Sequence, residues 1–308
     1  MVIDLKKILT YIKKNRIEII LLLVLFFFTF GTRLVTLNNE EFLGNDNFYH
    51  YSVLEQSIEK GHLSNNNNLD LCYEGVKGGH PIGFYLIPYL LSFIIGLFYA
   101  LALTPVLYAA ITIILCYYFF KLIFNKEIAF ISSFLIASTT AYFARSVALL
   151  YKGDNLILIF LMASLICILK MFEETNLKKK LLYSIAVGVI SGFTTFFWIG
   201  YMIVITVVNA SIIAYILFQY IKHEKIKFNI YASSVALFIQ MILVSFLGYN
   251  FVTVFKEFHE SIYLLYFILP IAVLLLFLGI FEKISEKHKN LRFIPFLIFI
   301  ILGLLLLI

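Results

Sequence analysis

The chain has 308 residues, 62% of them hydrophobic and only 14% charged, with a formal net charge of +6 and a mean hydropathy of +0.97. No water-soluble core of this length needs so much apolar surface, and the period-two alternation of lipid-facing strands is missing, so the composition excludes a soluble domain and a β-barrel. The positive charge lies largely on lysines in short loops, where it sets topology and meets anionic headgroups; membrane lipids are expected partners and nucleic acid is not. Cys72, Cys116 and Cys167 show no paired spacing, hence neither a disulfide framework nor a metal knuckle.

In chain order, Lys6, Lys7, Lys13, Lys14 and Arg16 precede the first apolar run, 18–36. No small-residue cleavage site follows, so this run reads as a retained anchor. The polar stretch 37–80 comes next and opens with Gly44-Asn45-Asp46-Asn47-Phe48-Tyr49-His50-Tyr51. Asp46 or Asn47 is expected to cap a helix running to about Lys60, with Asp46 and His50 one turn apart on a shared face. Further apolar runs lie at 81–122, 128–144, 155–171, 181–221, 228–249, 262–280 and 293–308, with a polar break near Trp198-Ile199-Gly200. The fold class is therefore an all-α polytopic membrane protein.

Basic clusters recur at 1–16, at Lys121/Lys126, at Lys178–Lys180, at Lys222/Lys225/Lys227 and from Lys283 to Arg292. Placing all of them on the cytoplasmic side requires about nine crossings. The run 81–122 then crosses once, at about 103–122, and 81–102 becomes an outer-face re-entrant or interfacial hairpin broken at Pro88 and Gly96. The run 181–221 crosses twice, turning near Trp198. With the N-terminus cytoplasmic, Asp46, Arg145, Asp154, Glu257 and Glu260 share the extracytoplasmic face. The whole of 1–308 reads as one transmembrane domain of the cell membrane, with 37–102 as its first outer loop and hairpin and no soluble C-terminal domain.

Departure of a phosphate or pyrophosphate from a lipid carrier needs its charge neutralised, and a hard cation held by carboxylates from several loops does that. Asp46, Asp154 and Glu257 or Glu260 are of the right type to ligate Mg²⁺ or Mn²⁺, with His50 as a softer ligand. Arg145 would clamp phosphate oxygens or orient a carboxylate. Each also has a plain structural role: helix capping for Asp46 and Asp154, a solvated loop for Glu257 and Glu260, and a snorkelling span end for Arg145.

At these residues the chain resembles the catalytic subunit of oligosaccharyltransferase, in its archaeal single-subunit form. The segment Gly44–Tyr51 is similar to that family's first outer-loop motif. Arg145-Ser146-Val147-Ala148 with Tyr151-Lys152-Gly153-Asp154 resembles its second, and Phe197-Trp198-Ile199-Gly200-Tyr201 a downstream Trp-Gly-Gly-Tyr turn. The second motif here continues with Asn155, where the family carries another ligand nearby. The resemblance implies a GT-C-like fold and transfer of a dolichyl-linked oligosaccharide to the Asn of an Asn-x-Ser/Thr sequon. It also implies Mn²⁺ or Mg²⁺ on Asp46 and Asp154, with Glu257 or Glu260 as the later glutamate. The partners implied are a lipid-linked oligosaccharide and an acceptor polypeptide; with the family's W-W-D-Y-G motif absent, the chain reads as a fragment, as one half of a split enzyme completed by a second chain, or as a degenerate paralogue. Another polyprenyl-phosphate-sugar-dependent GT-C transferase and an inactive membrane partner stay open as alternatives.

Overall fold

The computed structural model describes residues 15–38, 41–44, 46–63, 80–222 and 226–252, with side chains to 247. Cys72, Glu257, Glu260 and the runs 262–280 and 293–308 lie outside the described residues. Every regular element among those described is helical. In order they are α1 (Arg16–Arg33) with a 3-10 extension (Leu34–Asn38), α2 (Asp46–Glu59), a 3-10 turn (Ile82–Tyr85) leading into α3 (Leu86–Ile95), and α4 (Leu97–Ile123). Then follow α5 (Lys126–Ser138), α6 (Thr140–Ser146), α7 (Gly153–Glu173), α8 (Leu177–Phe197), α9 (Tyr201–Ile221) and α10 (Lys227–Val252).

Six of these, α1 with its extension, α4, α7, α8, α9 and α10, are long and apolar enough to cross a bilayer; α5 and α6, bent by 62°, make a seventh if they form one span. The chain is thus a multi-pass helical membrane protein. The expected nine crossings include the runs 262–280 and 293–308, outside the described residues. The run 81–122 holds one helix of crossing length, as the charge pattern requires, but that helix starts at Leu97 and not near 103. Gly96 breaks the run with φ of +80°, a conformation open to glycine. Pro88 does not break it, because it occupies the first turn of α3, where its missing N–H has no helical acceptor to lose.

The described residues fall into two compact units, divided within α7 after Met162. In the first, α1, α4 and α5 pack around Leu25, Ile113, Tyr117, Ala129 and Ala137, with the Phe28 and Phe134 rings in tilted contact beside them. Glu18, in the first turn of α1, pairs with Lys121 at the end of α4 and with Lys126 at the start of α5 (3.3 Å). These three helix ends therefore gather at one end of the unit. The other end carries the end of α1, the start of α4, α6 and the loop that follows it.

In the second unit, α8 and α10 run in close contact. A Cβ on Gly188 would sit 2.5 Å from the Ala236 carbonyl oxygen, and one on Gly192 would sit 2.8 Å from Leu243 Cβ, so only glycine permits this approach. Hydrogen bonds between side chains tie the same helices: Lys180 to Asn229, and Gln240 Nε2 to Ser191 Oγ at 2.9 Å. The expected turn at 198–200 separates α8 from α9. Gly200 is needed there because the Trp198 ring lies against its Cα, 1.8 Å from where a Cβ would be.

Candidate functional site

The site end of the first unit is built on backbone bonds that converge on the loop after α6. Ala148 N–H donates to the Arg33 carbonyl (2.9 Å), Leu149 N–H to the Ala102 carbonyl (3.2 Å), and Leu43 N–H to the Leu149 carbonyl (3.0 Å). Leu149 is fully buried and left-handed, with φ of +65°, a conformation costly for leucine. These three bonds and the surrounding packing hold it there.

Asn47 completes the joint. It is fully buried, its Nδ2 donates to the Leu43 carbonyl (2.5 Å), and its Oδ1 accepts from Tyr151 N–H (2.6 Å). The expected role for this residue was a helix cap. Instead its carboxamide bonds to backbone on both sides and fixes the start of α2 against the segment that enters α7. Asp46 precedes Asn47 and Asp154 follows Tyr151 by three residues, so the joint brings the two predicted carboxylates to the same end of the unit.

Asp46 begins α2 with its side chain exposed. Asp154 lies in the first turn of α7, and its Oδ2 is 3.6 Å from Arg145 Nη1, with side-chain exposures of 38% and 60%. Both carboxylates sit at helix N-termini, where the backbone dipole favours negative charge. The Arg145 backbone is held in turn: Asn155 Nδ2 donates to its carbonyl (2.8 Å), and Asn155 is fully buried. Arg145 is thus paired with the Asp154 carboxylate.

His50 is only 3% exposed, although it lies one turn from Asp46. Its Nδ1 meets the Tyr85 hydroxyl at 2.9 Å, and its ring is enclosed by His80, Phe84, Tyr85 and Tyr151, with centroids 4.9 to 5.7 Å away. Burial, then the charges of His80 and Lys152, pull the His50 pKa down to about 3, so the ring is neutral at physiological pH. Burial also lowers His80, opposed by the Asp46 carboxylate, which places Asp46 within electrostatic reach of His80. Burial raises the Tyr85 and Tyr151 hydroxyls, which stay protonated. Tyr151 donates its hydroxyl to the Phe84 carbonyl, so the turn before α3 is fastened to the same cluster.

The donor chemistry at this end is two carboxylates at the surface and a neutral imidazole beneath, a set that suits a hard divalent cation through the carboxylates. Among the described residues no group of three or more His, Cys, Asp and Glu is disposed to hold a metal ion. Asp46 and Asp154 fit such an ion as a partial set, and Glu257 and Glu260 lie outside the described residues. Sequence reasoning did not single out Arg33 or Tyr85, nor the joint at Asn47. Arg33 carried one signal, a cation at the end of an apolar run.

Comparison with known proteins agrees with this architecture. A profile of the family described as oligosaccharyl transferase STT3, N-terminal, matches residues 16–307. The chain is 26% identical over 205 residues to dolichyl-phosphooligosaccharide-protein glycotransferase 2 of Pyrococcus furiosus, covering 63% of this chain and 27% of that protein. To its namesake in Pyrococcus horikoshii it is 27% identical over 204 residues, 61% of this chain and 26% of the other. The chain thus spans about a quarter of the length of the curated relatives it matches. The fold is similar to the archaeal oligosaccharyltransferase AglB of Archaeoglobus fulgidus, solved with an inhibitory peptide and a dolichol-phosphate. There the TM-score is 0.75 at 17% identity, covering 96% of this chain and 37% of that one. A structure of the Archaeoglobus enzyme with Zn and sulfate gives 0.71 at 17% identity, covering 94% and 40%.

Proposed function

Because the chain belongs to the STT3 oligosaccharyl transferase family, as its N-terminal part, we propose that it forms the membrane half of an oligosaccharyltransferase. Its substrates are a dolichyl-type phosphate-linked oligosaccharide and the Asn of an Asn-x-Ser/Thr sequon. The curated relatives extend well beyond the matched region, so transfer is assigned to this chain acting with a C-terminal portion, supplied by further sequence or a second polypeptide.

The observation that carries this reading is the joint through Asn47 and Tyr151, which sets Asp46 and the Asp154–Arg145 pair at one end of the unit. Asp46 and Asp154 would hold Mn²⁺ or Mg²⁺, with Glu257 or Glu260 as a further donor; bound there, the ion would neutralise the leaving phosphate. A similar enzyme was solved with Zn and sulfate, which supports a divalent metal in this fold. Asp46, exposed at the start of α2, accepts hydrogen bonds from the acceptor amide. Arg145 aims the Asp154 carboxylate and presents its remaining N–H groups to phosphate oxygens. His50 serves as a buried support of α2. The basic helix ends around Lys121 and Lys126 face the cytoplasm, which puts this site outside; labelling of an Asp154→Cys thiol only from the cytoplasmic side would contradict that orientation.

The test is transfer from a lipid-linked oligosaccharide to a sequon peptide, with Mn²⁺ and the C-terminal portion present. Wild type glycosylates the peptide, and Asp46→Ala lowers the rate at least a hundredfold. A rate untouched by Asp46→Ala removes the metal assignment, and no transfer by the wild type leaves an inactive membrane partner as the reading.

A further inference from the structure

Arg33 is the largest fully buried side chain among the described residues. It ends α1, and no carboxylate among the described residues pairs with it. Its guanidinium instead spans the break between α5 and α6. Nη2 donates to the Ala137 carbonyl (2.9 Å), one of the carbonyls left over at the end of α5. Nε donates to Ser146 Oγ (2.6 Å) at the end of α6. Nη1 returns to the Thr29 carbonyl (3.2 Å) and to Thr32 Oγ1 (3.3 Å). The guanidinium carbon lies 5.0 Å from the Tyr142 ring centroid and 5.6 Å from that of Phe143, both on α6.

No Pro or Gly lies at the 62° bend. Thr139 is extended there (φ −66°, ψ 134°), and its N–H and hydroxyl both turn back to the Ile136 carbonyl, at 3.1 and 2.8 Å. That local turn opens the helix, and Arg33 occupies the freed acceptor at one side and the last turn of α6 at the other. Its own carbonyl meanwhile accepts from Ala148 N–H (2.9 Å). Arg145 immediately precedes these anchors: Ser146 is bound to the guanidinium, and Ala148 to the Arg33 backbone.

A buried cation without a counter-anion is a poor way to gain stability, since an apolar side chain of similar volume fills space without desolvation. Its use here must come from the fork, which reaches separate acceptors in fixed directions and which lysine cannot reproduce. We propose that Arg33 is a positioning residue that holds the α5–α6 bend, and through Ser146 and the Ala148 loop sets Arg145 against Asp154. This rests on the function proposed above.

The test compares wild type, Arg33→Lys and Arg145→Ala, plus the Arg33→Lys/Arg145→Ala double variant, together with the C-terminal portion. Expected for Arg33→Lys is a kcat at least tenfold lower with the acceptor-peptide KM within twofold, because misplacement of a reacting group by about 1 Å is worth up to roughly a hundredfold. The double variant is expected to be no slower than Arg145→Ala alone, since Arg33 acts through Arg145. A second readout is hydrogen exchange at the Ala148 amide, expected to quicken about tenfold in Arg33→Lys. Ser146→Ala, which removes one acceptor and is less disruptive, quickens it less. Unchanged kcat in Arg33→Lys, additive losses in the double variant, or wild-type protection at Ala148 would each overturn the proposal. If wild type transfers nothing, the proposed function fails and the Ala148 exchange alone decides whether Arg33 positions the loop.

Discussion

Replacing Asn47 by leucine tests whether the joint beneath the two carboxylates stands on hydrogen bonds and not on filled volume. The two side chains are close in size, so the variant leaves no sizeable cavity. It deletes the bond from Nδ2 to the Leu43 carbonyl and the bond from Tyr151 N–H to Oδ1. Leu43 is half-buried, so its carbonyl can turn to water; Tyr151 is fully buried, so its N–H cannot. A buried donor left without a partner costs about 1–3 kcal/mol, and the lost Leu43 bond adds about 1, giving a total of about 2–4 kcal/mol. Unfolding free energies from denaturing-detergent titration in mixed micelles would read this directly. A loss of less than about 0.5 kcal/mol, within the range of ordinary surface substitutions, would refute the reasoning. Transfer activity should fall with it, because Asp46 and the segment entering α7 lose their common anchor.

Gly188→Val should push α8 away from α10, because even the first added carbon meets the Ala236 carbonyl at 2.5 Å; overpacking of this kind costs about 1–3 kcal/mol, read as a lower thermal midpoint, and an unchanged midpoint would contradict the close approach. Alongside His80, which burial also lowers, stability depends on pH through His50. Its folded pKa of about 3 lies below the ordinary 6.5, so from pH 6.5 downward the unfolded chain takes up a proton that the folded one refuses. Stability is therefore complete above about pH 6.5 and falls by about 1.4 kcal/mol per pH unit toward pH 3. His50→Gln should flatten this slope between pH 7.5 and 5, and an equally steep profile in that variant would assign the dependence elsewhere.

Hydropathy made the spans legible because a bilayer imposes length and apolar content on any helix that crosses it. The run 155–171 became Gly153–Glu173, and the polar break at Trp198 divided 181–221 into Leu177–Phe197 and Tyr201–Ile221. Less was legible where polar groups inside the protein decide the outcome. The run 128–144 looks continuous, yet it bends by 62° at Thr139, where a local turn onto the Ile136 carbonyl opens the helix and a guanidinium from α1, more than a hundred residues earlier, takes up the freed acceptors. Asp46, Arg145 and Asp154 were visible as chemistry-bearing types on one face. The carboxamide of Asn47 that joins their segments was not, since its partners, Leu43 and Tyr151, are chosen by the tertiary fold. His50 illustrates the same limit: its spacing from Asp46 suggests a shared face, whereas packing against Tyr85 and Tyr151 buries it.

Whether Asp46 and Asp154 share a divalent cation at one end of the first unit is read by Mn²⁺ titration followed by electron paramagnetic resonance, independently of turnover. One Mn²⁺ should bind per chain, with affinity lowered at least tenfold by Asp46→Ala and again by Asp154→Ala. Mn²⁺ binding of undiminished affinity in both variants would contradict a shared ion.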